Sequence, residues 1–305
     1  MVDIVADQAQ NLRDLLQGKA PTAAENARGG QRRTRVLAVT SGKGGVGKSH
    51  FTLNFALSLA VRGNRVVIWD ADMGFANIHL LMGTHPRKNL FHLLRGESIW
   101  DVMETGPHGI YYISGGSDLL DLFQLQSGQI YTFLQQFNQL QGFADFLLID
   151  TGAGLTDYTL KLLLSADEVI FVTTPEPTSL TDAYAVMKMM HLREKHLLVN
   201  VVINRVTHAK EGEGAARKIR MVAEQFLGIS PRALGFLPED PSVVRAVKAQ
   251  TPYLLAYPNS AVAKEMRRLT DGYTAMQQSE TGQIHLAELG LKSFWKKFLL
   301  NLRRD

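Results

Sequence analysis

The sequence predicts an α/β protein built on a mostly parallel sheet covered by helices on both faces. Three observations carry that expectation. Several strand-length segments are continuous apolar runs, as happens when both sides of a sheet are buried. Strand and helix patterns alternate from Val36 onward, the order that generates parallel sheets. The run Val36-Leu37-Ala38-Val39-Thr40 is followed by Gly42-Lys43-Gly44-Gly45-Val46-Gly47-Lys48-Ser49 and then by helix-spaced apolar residues from His50 to Arg62. Strand, glycine loop and helix in that order make a phosphate loop.

Taken in order, Val2 to Gln17 reads as a short amphipathic helix with Val5, Ala9, Leu12, Leu15 and Leu16 near one side, and Gly18 stops it. Residues 19–34 carry almost no bulky apolar side chain and read as a flexible linker. Further strands are expected at Val66 to Asp70, Ile110 to Ile113, Phe146 to Asp150, Glu168 to Val172, Leu197 to Ile203 and Ala233 to Phe236. Helices are expected at Ser127 to Gln141, Tyr158 to Ser165, Leu180 to His191 and Gly214 to Leu227. Residues 35–280 therefore form the nucleotide-binding domain, and 281–305 carry a terminal helix. In that helix Leu291, Phe294, Trp295, Phe298, Leu299 and Leu302 repeat at i, i+3, i+4, i+7, i+8 and i+11. Such a stripe suits the headgroup region of an anionic membrane. The expectation is therefore a membrane-binding helix; a helix packed on the core is the lesser alternative, and both can hold in turn.

A chain of 305 residues with 45% hydrophobic content can bury one large domain with appendages. The absence of cysteine excludes disulfides and thiolate-held metals or clusters. Lys292, Lys296, Lys297, Arg303 and Arg304 against Asp305 account for the whole net charge of +4, so direct DNA binding is not expected. Met1 to Gly18 lacks a basic-then-apolar signal pattern, and no apolar stretch reaches the ~18 residues of a membrane span. The expected setting is cytoplasmic, peripheral on the inner face of the cell membrane when nucleotide is bound.

The phosphate loop needs glycines so that backbone N–H groups curl around a phosphate, Lys48 to neutralise its oxygens, and Ser49 to hold Mg²⁺. Asp70 and Asp72 end the second strand, where ligands of open parallel sheets gather; Asp70 suits the Mg²⁺ shell and Asp72 can position an attacking water. Asp150-Thr151-Gly152 has the form of an acidic strand end leading into a γ-phosphate-sensing loop. The guanine-reading N-K-x-D set is absent, so the expected nucleotide is ATP, with Asn204 on one side of the base and the Pro238-Glu239-Asp240-Pro241 turn on the other.

With Lys43, Lys48, Asp70, Asp72, Asp150 and Asn204 in this order, Arg35 to Gly272 resembles the deviant Walker A ATPases of the MinD and ParA type. Asp7-Gln8-Ala9-Gln10-Asn11-Leu12-Arg13 fits the D-Q-A-x-x-L-R element of that group's flagellar-number regulators, the FlhG type (also called FleN or YlxH). Pro175 to Tyr184 is similar to their segment after the strand, and the tail to their membrane helix. The resemblance implies an ATP-dependent homodimer with two nucleotides sandwiched between subunits, Lys43 reaching across to the partner's phosphates, and slow, switch-like hydrolysis with Lys43, Lys48 and Asp72 as catalytic residues. It also implies that Asp7, Gln8, Ala9, Leu12 and Arg13 engage the GTPase FlhF and stimulate its GTP hydrolysis, Gln8 orienting the water. A flagellar transcription activator or switch-ring proteins are further partners it suggests. One departure is His50, where relatives commonly place a small hydroxyl residue. A MinD-type division-site ATPase is the alternative, and it leaves the N-terminal helix and linker without a role.

Overall fold

The computed structural model describes residues 33–72, 77–115, 127–194, 197–280 and 290–302. The D-Q-A element, nearly all of the linker and the Leu302 side chain lie outside what is described. Eight strands, β1 (Arg35–Thr40), β2 (Val66–Ala71), β3 (Glu104–Thr105), β4 (Tyr111–Ser114), β5 (Phe146–Thr151), β6 (Glu168–Thr173), β7 (Leu198–Val206) and β8 (Arg232–Pro238), form one sheet in the order β3-β4-β2-β5-β1-β6-β7-β8. Every neighbouring pair is parallel except β3 with β4. β2, β5 and β6 are buried at every position, which is why they read as unbroken apolar runs.

Eight longer helices cover the sheet: α1 (Lys48–Val61), α2 (Ser127–Asn138), α3 (Asp157–Ser165), α4 (Pro177–Arg193), α5 (Ala209–Leu227), α6 (Pro241–Lys248), α7 (Ala261–Glu280) and α8 (Leu291–Leu302). One apolar core unites the odd-numbered face of β7 with α2, α3, α4, α5 and α8; the other joins the opposite face to α1, α6 and α7. The sequence reading lacks β3, α6 and α7. A two-residue strand leaves no period to detect. The buried stripe of α7, made by Val262, Ala263, Met266, Leu269 and Tyr273, is diluted by the exposed charges between.

At the amino-terminal end of β6, remote from the phosphate loop, Glu168 is almost wholly buried. It pairs with Arg35 and accepts from Asn200 Nδ2 (2.8 Å), Gln277 Nε2 (2.8 Å) and Tyr273 Oη (3.3 Å). A buried carboxylate is tolerable only with such partners, and these fasten β1, β7 and α7 to β6.

The terminal helix is docked. Leu291, Phe294, Trp295, Phe298 and Leu299 are all buried in the same core as α2 and α3. Trp295 packs against Phe133 and Phe137, ring centroids 5.2 Å away in each case, and against Trp69 of β2 at 6.1 Å. Its first turn is fixed by Gly290 N–H donating to the Asp167 carboxylate (3.0 Å) and Leu291 N–H donating to Gln141 Oε1 (3.2 Å). The residues expected to meet lipid therefore meet protein here, because α2 and α3 offer the same stripe an apolar groove.

Candidate active site

Gly42 to Ser49 links β1 to α1 over the carboxyl ends of the central strands. Two glycines are dictated by backbone and space. Gly47 has φ +94°, and a Cβ there would lie 2.4 Å from Asn204 Nδ2; a Cβ on Gly42 would lie 2.3 Å from the backbone of Asp182 in α4. Asn204 Nδ2 donates to the Val46 carbonyl (2.7 Å), holding the loop from the β7 side. From β5, Gly154 N–H donates to the Ser41 carbonyl (3.0 Å), which ties the loop after Asp150 to the phosphate loop.

Lys48 Nζ donates to Asp150 Oδ1 (2.9 Å), and Thr52 Oγ1 donates to the same oxygen (2.9 Å). Both members of the ion pair are buried. Asp150 Oδ2 is buried and has no hydrogen-bond partner among the described residues. Asp70 is the register partner of Asp150 on the neighbouring strand. Its carboxylate accepts from Ile78 N–H (3.0 Å) and Asp72 N–H (3.4 Å). Burial first, and then the charge of Asp150, push the Asp70 carboxyl up to about 7. Ser49 Oγ, the Asp70 carboxylate and the unpaired oxygen of Asp150 are the hard donors that Mg²⁺ takes, and a divalent cation would relieve the repulsion between the two acids.

That repulsion has a measurable sign. An unfolded aspartate titrates near 3.8. Between about pH 4 and about pH 7 the native state therefore holds a proton at Asp70 that the unfolded chain has lost, so stability falls as pH rises through that window. The melting temperature of the metal-free protein is expected to decline more steeply from pH 5 to 7.5 in wild type than in Asp70→Asn, with Mg²⁺ and ADP removing the difference. Parallel curves would contradict this reading of the acid pair.

A cavity of about 990 Å³ opens over this constellation and is lined by Gly44, Gly45, Gly47, Lys48, Ser49 and His50 on the loop side. Asp72 lines it from β2, half-buried, with its Oδ1 3.6 Å from where a Cβ on Gly152 would stand. The expected loop, Asp72 and sensing segment are thus brought together. His50 is largely enclosed; burial, then the positive charge of Arg205, lower its pKa against the raising effect of Asp150.

Lys43 is turned away from this cavity. Its ammonium donates to Glu176 Oε2 (2.7 Å) and Thr178 Oγ1 (3.3 Å), both at the start of α4. The hydrogen bond from Lys43 lowers the pKa of Glu176. Asn204, Pro238 and Asp240, expected beside the base, do not line the cavity. Asp240 caps two helices instead, accepting from Ser242 N–H of α6 (2.8 Å) and Val262 N–H of α7 (3.3 Å), a role consistent with the Asp-Pro pair that opens α6. Residues that the sequence reading did not single out include Thr156, Thr159, Leu80, Val247, Gln250 and Arg205, all on the cavity wall. Arg205 follows Asn204 directly, but strand alternation assigns it to the opposite face, so no sequence signal points to it.

Comparison with known proteins agrees with this fold. Residues 32–273 match the sequence model of the ParA family, described as NUBPL iron-transfer P-loop NTPase. The chain is 35% identical over 227 residues to the antiactivator FleN of Pseudomonas aeruginosa, covering 74% of this chain and 81% of that protein. It is 30% identical over 307 residues to the flagellum site-determining protein YlxH of Helicobacter pylori, covering 96% and 98%. Its fold is similar to the septum site-determining protein MinD complexed with Mg-ADP from Pyrococcus horikoshii, with TM-score 0.65, 25% identity and coverage of 82% and 100%.

Proposed function

The chain belongs to the ParA family of P-loop NTPases, and on that footing we propose that it is a regulatory ATPase of flagellar number and placement that switches between monomer and ATP-bound homodimer. The observation that carries the switch is the position of Lys43. Within one subunit this lysine does not line the cavity; Glu176 and Thr178 hold it at the surface, 35% exposed. An ammonium parked on an exposed carboxylate exchanges partners at small cost. Facing a second copy, it would trade Glu176 for the partner's phosphates, which joins dimerisation to the presence of the terminal phosphate.

ATP and Mg²⁺ fit the residues present. Lys48 would leave Asp150 for the β- and γ-oxygens, so that Asp150 would keep the Thr52 bond at Oδ1 and turn an uncompensated charge toward the metal. Asp72 would orient the attacking water, and the Gly152–Gly154 segment, bonded to the phosphate loop through Ser41, would report the loss of the terminal phosphate to α3. Slow turnover suits such a timer. The iron-transfer description of the matched family does not extend to this chain through thiolate chemistry, since the chain has no cysteine.

Two finer roles complete the proposal. The docked α8 would exchange its protein groove for the membrane surface: its five buried apolar side chains are worth about 1.5–3 kcal/mol each in either apolar setting, so small differences decide the balance. Residues 1–18 would act on FlhF, with Gln8 positioning the water for GTP hydrolysis. Filament counts per cell test the flagellar assignment. Cells carrying Lys43→Ala are expected to show an altered number, whereas an unchanged distribution would contradict it. A peptide of residues 1–20 should accelerate GTP hydrolysis by FlhF, and Gln8→Ala should remove most of that effect; no acceleration would reduce the segment to a tether.

A further inference from the structure

Arg205 sits where a strand should not place it. Along β7 the odd residues Val201 and Ile203 enter one core, while Val202 enters the other and Asn204 reaches the phosphate loop. Simple alternation would send residue 205 toward α4 and α5, away from the nucleotide side. Instead the register slips: Asn204 pairs with Leu237 and Val206 with Pro238, so Arg205 is one extra residue, and Val206 takes the core position. Arg205 has φ +58°, a left-handed conformation that an arginine adopts only under strain. Bulges of this kind re-aim a side chain.

The re-aimed side chain reaches the cavity wall. There its positive charge acts on His50 of the phosphate-loop helix and on Glu176. Among the described residues its guanidinium has no hydrogen-bond or ion-pair partner of its own. The side chain is exposed, so water can serve its charge; it is the strained bulge aiming the cation at a polyanion's cavity that marks a binding device rather than a packing one.

We propose that Arg205 is a nucleotide-binding residue, its guanidinium contacting the phosphate chain on the His50 side of the cavity. The inference rests on the nucleotide reading of that cavity and adds a second cation from β7 to Lys48 from the loop.

The test uses the full chain, titrated with MgADP by calorimetry, and thermal melts without nucleotide. Arg205→Asn keeps a residue that accepts the left-handed conformation and removes the charge; Arg205→Gly removes the strain altogether. Both are expected to weaken MgADP about tenfold and to flatten the salt dependence of binding, while the nucleotide-free melting temperature stays level or rises by about 1–3 °C. Arg205→Lys should keep most of the affinity. If Asn and Gly variants bind MgADP like wild type, or lose affinity only in proportion to a lowered melting temperature, the assignment to Arg205 is overturned. If wild type itself fails to bind MgADP, the nucleotide reading falls first, and the two failures are distinct.

Discussion

Lys48→Ala is expected to weaken nucleotide binding severely and to destabilise the fold at once, and the two effects separate. Lys48 is the principal neutraliser of Asp150, whose side chain is fully buried. Truncating one partner of a buried ion pair leaves the other charge uncompensated, at a cost of about 3–5 kcal/mol. Thr52 donates to the same oxygen and softens this without supplying charge. The double variant Lys48→Ala/Asp150→Asn removes both charges and should regain most of the lost melting temperature. It should not regain affinity, because the lysine that meets the phosphates is still missing; a loss of roughly a hundredfold is expected for a charge-assisted contact in a buried site. Melting curves and MgADP titration of the three proteins check this. Full recovery of affinity in the double variant would show that Lys48 serves the fold alone.

The second large effect concerns α8. Trp295→Ala opens a hole among Trp69, Phe133, Phe137 and Phe298, and truncations of this kind cost about 3–5 kcal/mol. Stability therefore reports docking. Lipid attachment needs a different lesion: Lys292 and Lys296 are exposed on the docked helix, so Lys292→Glu/Lys296→Glu should leave the melting temperature near wild type. The same charge reversal should cut pelleting with anionic vesicles several-fold, and added salt should weaken wild-type pelleting. Removing residues 292–305 should abolish pelleting. Equal pelleting of all three proteins would contradict membrane attachment through this helix.

These two cases show what a sequence carries and what it leaves to packing. Gly42 to Ser49, Asp70 and Asp150 are legible because their spacing and strand-end positions follow from local rules. That Asp70 and Asp150 are register partners is not local; it depends on β2 lying beside β5, so their mutual repulsion appears only in the fold. The stripe of α8 is legible as an amphipathic helix, yet the same six positions suit a bilayer or a groove between α2 and α3. Only tertiary contacts decide which one fills it in the monomer. Arg205 is hidden by the very periodicity that reveals β7, since the alternation assigns it to the wrong face until the pairing with β8 exposes the bulge. Asp240 was legible as a turn residue, but its two backbone partners come from helices twenty residues apart in sequence.

Sedimentation velocity tests the nucleotide-gated dimer most directly. The account predicts a monomer with MgADP, a monomer–dimer mixture with MgATP, and an accumulated dimer when Asp72→Ala binds MgATP without hydrolysing it. Lys43→Ala should remain monomeric throughout. A single sedimentation coefficient shared by all of these samples, with nucleotide binding intact, would contradict the switch.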